Sequence, residues 1–418
     1  VSELELGGVP ASRLAAEFGT PLYVYDESVL RERARAYLRG LGAYPEASRA
    51  VYACKANATV AVIAVLADEG LGADAASAGE LAAALRAGID AANVVLHGNN
   101  KSDADLEAAL AAEAGLVVID HVDELDQLDR LATAAGRVQP VLVRVTPGIE
   151  ADTHAAIRTG HHGSKFGLAP PDALDALDRA SELAHVTPAG LHVHLGSQIT
   201  ELVTYTAAVD WLVAFIEEHG LGDLPVLDIG GGLGIAHTQG EVELPIEPSL
   251  EAICAHLVDG LIAHGLPMPE LVVEPGRSIV GPAGTTLYRV GAVKKVADGT
   301  VYAAVDGGMS DNPRPALYGA RYAAVVADRP EAPAERLYSI AGKHCESGDV
   351  LIEDIRLPEL HAGDLLAVPA TGAYNASMAS NYNLLPRPAA VIVADGEARL
   401  AQRRETVDDV LARDVRAQ

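Results

Sequence analysis

Between residues 50 and 275 the chain alternates short apolar runs with longer amphipathic ones. The short runs begin near Val51, Gly72, Val94, Val117, Val141, Leu191, Val226 and Leu271, and they have the length and β-branched content of buried strands. Between them, stretches such as AGELAAALRAG, DADLEAALAAEA, HVDELDQLDRLATAA and AAVDWLVAFIEEHG repeat apolar residues at intervals of three and four, the period of an amphipathic helix. Helical crossovers make neighbouring strands parallel, so eight such units in roughly 250 residues predict an α/β fold, a closed (β/α)8 TIM barrel. A doubly wound open sheet is the alternative.

After residue 276 the helical period nearly vanishes. The runs TTLYRVGAV, VYAAVDGG, RLYSIAG, VLIEDIRLP, DLLAVPATGAY and PAAVIVADGEARL, punctuated by Gly, Pro and Asp-Gly, predict a mostly antiparallel β-sandwich or small β-barrel. PLYVYD near the amino terminus is strand-like too and is expected to join that sheet. The predicted domains are therefore a barrel over 28–278 and a discontinuous β-rich domain over 1–27 and 279–418.

Composition narrows the partners. A net charge of −27 repels phosphate, which argues against nucleic acid or an anionic membrane and leaves a small molecule as the natural ligand. Cys54, Cys254 and Cys345 are an odd set without disulfide or metal-ligand spacing, so a reducing cytoplasm is expected. No apolar stretch approaches the ~20 residues of a membrane helix, and VSELELGGVPASRL has no leader pattern.

Barrels of this kind place their chemistry at the carboxyl ends of the strands. Here those ends carry Lys55, Asp74, His97, Arg144, His194 and Glu274, and the seventh strand runs into DIGGGLG. Residues two apart share a strand face, so Val51, Ala53 and Lys55 are expected on one side, as are His192 and His194. Taken alone, a strand-end lysine can reach to water and a histidine can be a satisfied core residue; convergence at one mouth favours a site. Gly230, Gly231 and Gly232, followed by Gly276 and Arg277 after the eighth strand, suit a phosphate held on backbone N–H groups. A phosphate anchor, a lysine and a carboxylate together suggest pyridoxal 5'-phosphate. Lys55 would condense with its aldehyde and Glu274 would pair with its ring nitrogen, while His194 stacks on the ring and Asp74 and Arg144 orient these partners.

The ordered series YACKAN, GADAASAGEL, SKFG, HVHLGSQ, DIGGGLG, EPGRSIVG, DGGMSDNPRPALYGARY, CESGD and GAYNASMASNYN resembles the fold-type III pyridoxal phosphate-dependent decarboxylases over nearly the whole chain. The resemblance implies an alanine racemase-like barrel with a Schiff base at Lys55, His194 against the cofactor and Glu274 at its nitrogen. It also implies a phosphate site from Ser197, Gly230 to Gly232, Gly276 and Arg277, with Tyr374 near phosphate and substrate. Arg277, Arg314 and Tyr318 resemble the groups that grip a substrate carboxylate away from the reacting carbon. Cys345 and Glu346 resemble a pair supplied by a neighbouring subunit, which implies a homodimer with shared active sites. Two arginines with Glu346 match a far end that bears both carboxylate and ammonium. The implied reaction is decarboxylation of meso-2,6-diaminopimelate to L-lysine, the last step of lysine biosynthesis, with Cys345 or Lys55 returning the proton.

GADAAS has alanines where many relatives carry bulkier residues. His161 and His162 could be read as metal ligands, but no third ligand has suitable spacing, and no metal is expected. The rival readings are an amino-acid racemase on the same barrel, against which CESGD and EPGR weigh, and a cofactor carrier. A carrier has no need of the residues after Arg277.

Overall fold

The computed structural model describes residues 3–147 and 165–416. His161 and His162 lie outside the described residues. The chain forms two compact units, one of Arg31–Ile235 with Val242–Ser278 and the other of Val1–Leu30, Ala236–Glu241 and Ile279–Gln418.

The first unit is a closed barrel of eight parallel strands in sequence order: Ser48–Ala53, Gly72–Ala75, Val94–Leu96, Leu116–Ile119, Gln139–Arg144, Val186–His192, Val226–Asp228 and Glu270–Val273. Pairing of Leu271 with Ser48 closes the ring and disposes of the open-sheet alternative. Strands buried on both faces read as continuous apolar runs, as these do. Val51, Val95, Leu116, Val118, Leu142, Ala189, Val226 and Val272 pack together as one cluster. Each fully buried Val or Leu contributes roughly 1.5–3 kcal/mol relative to an exposed one.

Local chemistry sets the helix starts. Ser102 accepts from Asp105 N while the Asp105 carboxylate accepts from Ser102 N, a capping box that opens Asp103–Ala112, and Ser77 caps Ala78–Arg86 in the simpler way.

The sixth strand starts five residues before the expected Leu191, with VTPAG extended as part of it. Its register slips opposite Val141 and Leu142, which face Pro188 and Gly190; this irregularity accommodates a proline in an inner strand. A Cβ on Gly190 would lie 1.9 Å from the Val226 carbonyl oxygen, so only glycine permits that approach.

The second unit is a nine-stranded sheet system, mostly antiparallel. PLYVYD supplies its strand Leu22–Asp26, antiparallel to Gly284–Lys295 and parallel to Ala389–Ala394. The long strand Gly284–Lys295 is irregular between Val290 and Ala292 and pairs on different stretches with Val301–Val305 and Leu365–Pro369. Two apolar clusters fill this unit, one around Tyr288, Tyr338 and Ile340 and one around Leu14, Leu22 and Val391. Among the described residues no helix is long and apolar enough to cross a membrane.

Candidate active site

Lys55 does not continue its strand. The strand ends at Ala53, and Lys55 sits in the following 3-10 turn Cys54–Ala56, which corrects the expectation that it alternates with Val51 and Ala53. The turn places its Nζ 2.9 Å from Oδ2 of Asp74, the third residue of the second strand. Lys55 is partly open to solvent, and Asp74 is buried. The neighbouring Cys54 is buried, which pushes its thiol well above the ordinary range and leaves it inert.

Glu274 follows the eighth strand directly and is also buried. Its Oε1 lies 2.5 Å from Nε2 of His97 and 3.3 Å from Nε2 of His192, and its Oε2 lies 4.0 Å from Nδ1 of His194. Burial pushes Glu274 upward, but His97 and His192 outweigh it and hold the carboxyl well below the usual range. Asp228, last in the seventh strand, goes the other way, raised first by burial and then by Glu274. The proton of this pair therefore sits on Asp228, and Glu274 is the anion. Burial lowers His192 to about 4, against the pull of Glu274. Burial and then the Lys55 ammonium lower His194 to about 3. Both imidazoles are neutral near pH 7.

His97 and His192 stand edge to face, with ring centroids 4.8 Å apart. Nδ1 of His192 and Nδ1 of His194 are buried without a hydrogen-bond partner among the described residues. The donor atoms of His97, His192, Asp228 and Glu274 lie within 4.8 Å of one another.

The glycine run forms a cradle of bare backbone. Gly230 has φ +69° and Gly232 φ +111°, and a Cβ on Gly231 would lie 2.0 Å from the Glu274 carbonyl oxygen. Gly230 N donates to Oδ1 of Asp228 at 2.8 Å, and Glu274 N donates to Gly230 O at 2.9 Å, tying the cradle to the eighth strand. Arg277 Nη2 donates to Ser197 Oγ at 3.0 Å. These residues fit pyridoxal phosphate: an amine for the aldehyde, an anionic carboxylate for a ring N–H, a neutral imidazole, and a glycine cradle with a hydroxyl and a guanidinium for the phosphate.

Arg144 closes the fifth strand, with Nη1 3.9 Å from Oδ1 of Asp120 and its guanidinium 4.9 Å above the Phe166 ring. Asp120 N donates to Glu124, whose other oxygen pairs with Lys101 at 2.6 Å, both side chains being buried. Asp120, His192 and Asp228 were not assigned roles from sequence. Asp120 and Asp228 are strand-end residues like the others, and His192 shares the HVH alternation with His194.

In the sheet unit, Arg314 is buried at the start of the helix Arg314–Tyr318, and Tyr318 at its end is 66% exposed. Cys345 is exposed and its N–H donates to Oδ1 of Asn383 at 2.8 Å; Oε1 of Glu346 accepts from Gly348 N at 3.3 Å. Tyr374 has φ +61°. A cavity of about 670 Å3 between the segment around Pro315 to Ala323 and the strand around Val350 to Ile355 is lined by none of Arg314, Cys345, Glu346 and Tyr374, so it is not the candidate site.

Residues 28–281 match the family model described as pyridoxal-dependent decarboxylase, pyridoxal binding domain. The chain is 48% identical to the diaminopimelate decarboxylase of Actinosynnema pretiosum over 99% of its length and 93% of the relative. It is 44% identical to that of Bacillus subtilis over 99% and 95%. A crystal structure of M. jannaschii diaminopimelate decarboxylase in complex with L-lysine superposes with a TM-score of 0.92 at 31% identity, covering 99% of this chain and 96% of that one. The chain thus belongs to the pyridoxal-dependent decarboxylases and, within them, to the diaminopimelate decarboxylase family.

Proposed function

We propose that this protein is a pyridoxal phosphate-dependent carboxy-lyase that converts meso-2,6-diaminopimelate to L-lysine and carbon dioxide. It would serve lysine biosynthesis in the cytoplasm, whose reducing conditions suit the exposed free thiol of Cys345. The observation that carries the reaction is the cluster in which Glu274 lies 2.5 Å from His97 and 3.3 Å from His192, while His97 also lies 3.7 Å from Asp74, the partner of the partly exposed Lys55 amine.

When bound, pyridoxal phosphate supplies an electron sink for the carbon that loses its carboxylate. The protein's own groups prepare that chemistry. Lys55 presents the amine that holds the aldehyde, with Asp74 fixing its direction. Glu274, as an anion, keeps a proton on the ring nitrogen, and neutral His194 offers a flat face without adding charge. The cradle Gly230 to Gly232 with Ser197, Gly276 and Arg277 binds phosphate.

Arg277 and Arg314 grip the substrate carboxylate that is not lost, with Tyr318, Tyr374 and Glu346 completing recognition of that end. Cys345 or Lys55 returns the proton to the reacting carbon. Cys345 and Glu346 act in the site of a second copy, so the working form is a homodimer. The M. jannaschii enzyme binds L-lysine, the ligand expected to keep the gripped carboxylate.

Carbon dioxide release from a panel of diaminopimelate stereoisomers, L-ornithine and L-lysine tests the reading. The meso compound should be turned over, and ornithine should lag by about 100-fold or more in kcat/KM, because its only carboxylate is the one to be lost and the arginines stay unpaired. Ornithine turnover at a matching rate overturns it.

A further inference from the structure

Arg314 is a buried cation whose hydrogen-bond partners among the described residues are an imidazole and a phenol. Its Nη1 donates to Nε2 of His237 at 2.9 Å and to the hydroxyl oxygen of Tyr322 at 2.6 Å. Among the described residues it forms no ion pair with a carboxylate, in contrast to Arg31, Arg39 and Arg329, each of which does. All three members of the cluster are shielded, with 6% exposure for Arg314, 8% for His237 and 3% for Tyr322. A buried charge is normally paired, because leaving water without compensation is costly.

The hydrogen bonds also settle the state of the imidazole. A guanidinium only donates, so Nε2 of His237 must be the acceptor and the ring must be neutral, with its proton on Nδ1. That nitrogen faces Oε2 of Glu241 at 3.8 Å. Glu241 is itself engaged by the loop, accepting from His237 N at 2.7 Å and from the Thr238 hydroxyl at 2.8 Å. The rings lock together: His237 and Tyr322 are perpendicular with centroids 5.5 Å apart, and Cζ of Arg314 lies 5.7 Å from the Tyr322 ring centroid. The loop Ala236–Glu241 belongs to the same compact unit as Arg314 and Tyr322.

We propose that His237 and Tyr322 are positioning residues that hold Arg314 through neutral acceptors, so that its direction is set while its positive charge is kept for the distant carboxylate of the substrate. This rests on the reading of Arg314 as a carboxylate grip. A carboxylate in place of His237 would fix the guanidinium equally well but would satisfy its charge from within the protein. The identity of the acceptor, not only its presence, would then set selectivity for ligands bearing that carboxylate.

The test uses the holoenzyme and two ligands, L-lysine, which carries the carboxylate, and cadaverine, the diamine without it, each titrated by cofactor absorbance. His237→Gln retains a neutral acceptor and should bind L-lysine within about threefold of the unchanged protein. His237→Glu should weaken L-lysine at least about tenfold and leave cadaverine unaltered. Tyr322→Phe should weaken L-lysine selectively by a smaller factor. Equal behaviour of the Gln and Glu variants, or parallel shifts for both ligands, overturns the proposal.

Should His237→Glu fail to retain cofactor, Tyr322→Phe decides: selective loss of L-lysine supports the proposal, and equal loss or none overturns it. The unchanged protein separates the two levels of the reading. If it binds L-lysine no better than cadaverine, the carboxylate grip itself is wrong.

Discussion

Nζ of Lys55 donates to Oδ2 of Asp74 at 2.9 Å, joining a side chain that is 41% exposed to one that is 1% exposed. The amine is thus anchored at its head yet open to a ligand, an arrangement suited to a group that must exchange partners. Lys55→Arg keeps a cation for Asp74 but has no amine able to condense with an aldehyde. It should fold, lose the cofactor's visible absorbance, and lower carbon dioxide release by about 1000-fold or more. Retained activity in purified Lys55→Arg would place the covalent attachment elsewhere.

His192 gives the protein a built-in acid sensitivity. Its folded value of about 4 lies below the unfolded value near 6.5, so between those values the unfolded chain binds more protons. Stability contributed by the neutral ring is complete above pH 6.5 and is lost as pH falls toward 4, by on the order of 3 kcal/mol. Urea midpoints measured from pH 7.5 to 4.5 should fall in this window, and His192→Asn should flatten the profile. His194 keeps a quarter of its side chain exposed, so the pH effect is assigned to the enclosed His192.

Gly231 tests the cradle. Its Cβ would meet the Glu274 carbonyl oxygen at 2.0 Å, a backbone atom that cannot swing aside like a flexible side chain. Gly231→Ala must displace the strand end that carries Glu274, at a cost of about 1–3 kcal/mol. Cofactor retained after dialysis, followed by absorbance, should drop by about tenfold in affinity or more. Unaltered retention would show that the backbone here moves freely and does not hold the phosphate.

The barrel was legible because strands buried on both faces must be apolar throughout, while their helices must show a period near 3.6; Val51, Val95 and Val118 belong to the first pattern and Leu125 and Leu128 to the second. Strand-end reading could group Lys55, Asp74, Arg144, His194 and Glu274 at one end of the barrel because a parallel barrel turns chain order into position. It could not see the 3-10 turn under Lys55, since nothing in YACKAN distinguishes one more extended residue from a tight turn. His192 and Asp228 escaped assignment because their roles arise from who shares Glu274, a tertiary fact. The pairing of Arg314 with His237 joins residues 77 apart and has no local signature.

Linked to Arg144 through Asp120, the Lys101–Glu124 pair is a buried ion pair whose members are each 1% exposed. Lys101 also donates to the carbonyl oxygens of Gly98 and Val118, both at 2.7 Å, and Glu124 accepts from Asp120 N at 3.0 Å. Removing one partner strands the other, so Glu124→Ala should cost about 3–5 kcal/mol, whereas the double change Lys101→Met with Glu124→Leu should cost far less. Equilibrium unfolding in urea compares them. Equal destabilisation by the single and double changes would mean that the backbone contacts, rather than the charge pair, carry this corner.

The proposed sharing of active sites between two copies makes a prediction that no single-chain role can imitate. If Lys55 of one copy works with Cys345 of the other, Lys55→Ala and Cys345→Ala homodimers each lack an essential group in both sites. Mixing equal amounts and allowing subunits to exchange makes half of the dimers heterodimers, in which one site carries both defects and the other carries neither. Carbon dioxide release should therefore recover to about a quarter of that of the unchanged protein. Recovery should follow the kinetics of exchange and vanish if each homodimer is cross-linked before mixing. A mixture that stays as inactive as its components, although exchange is demonstrated with labelled subunits, would place Cys345 in the same copy's site as Lys55.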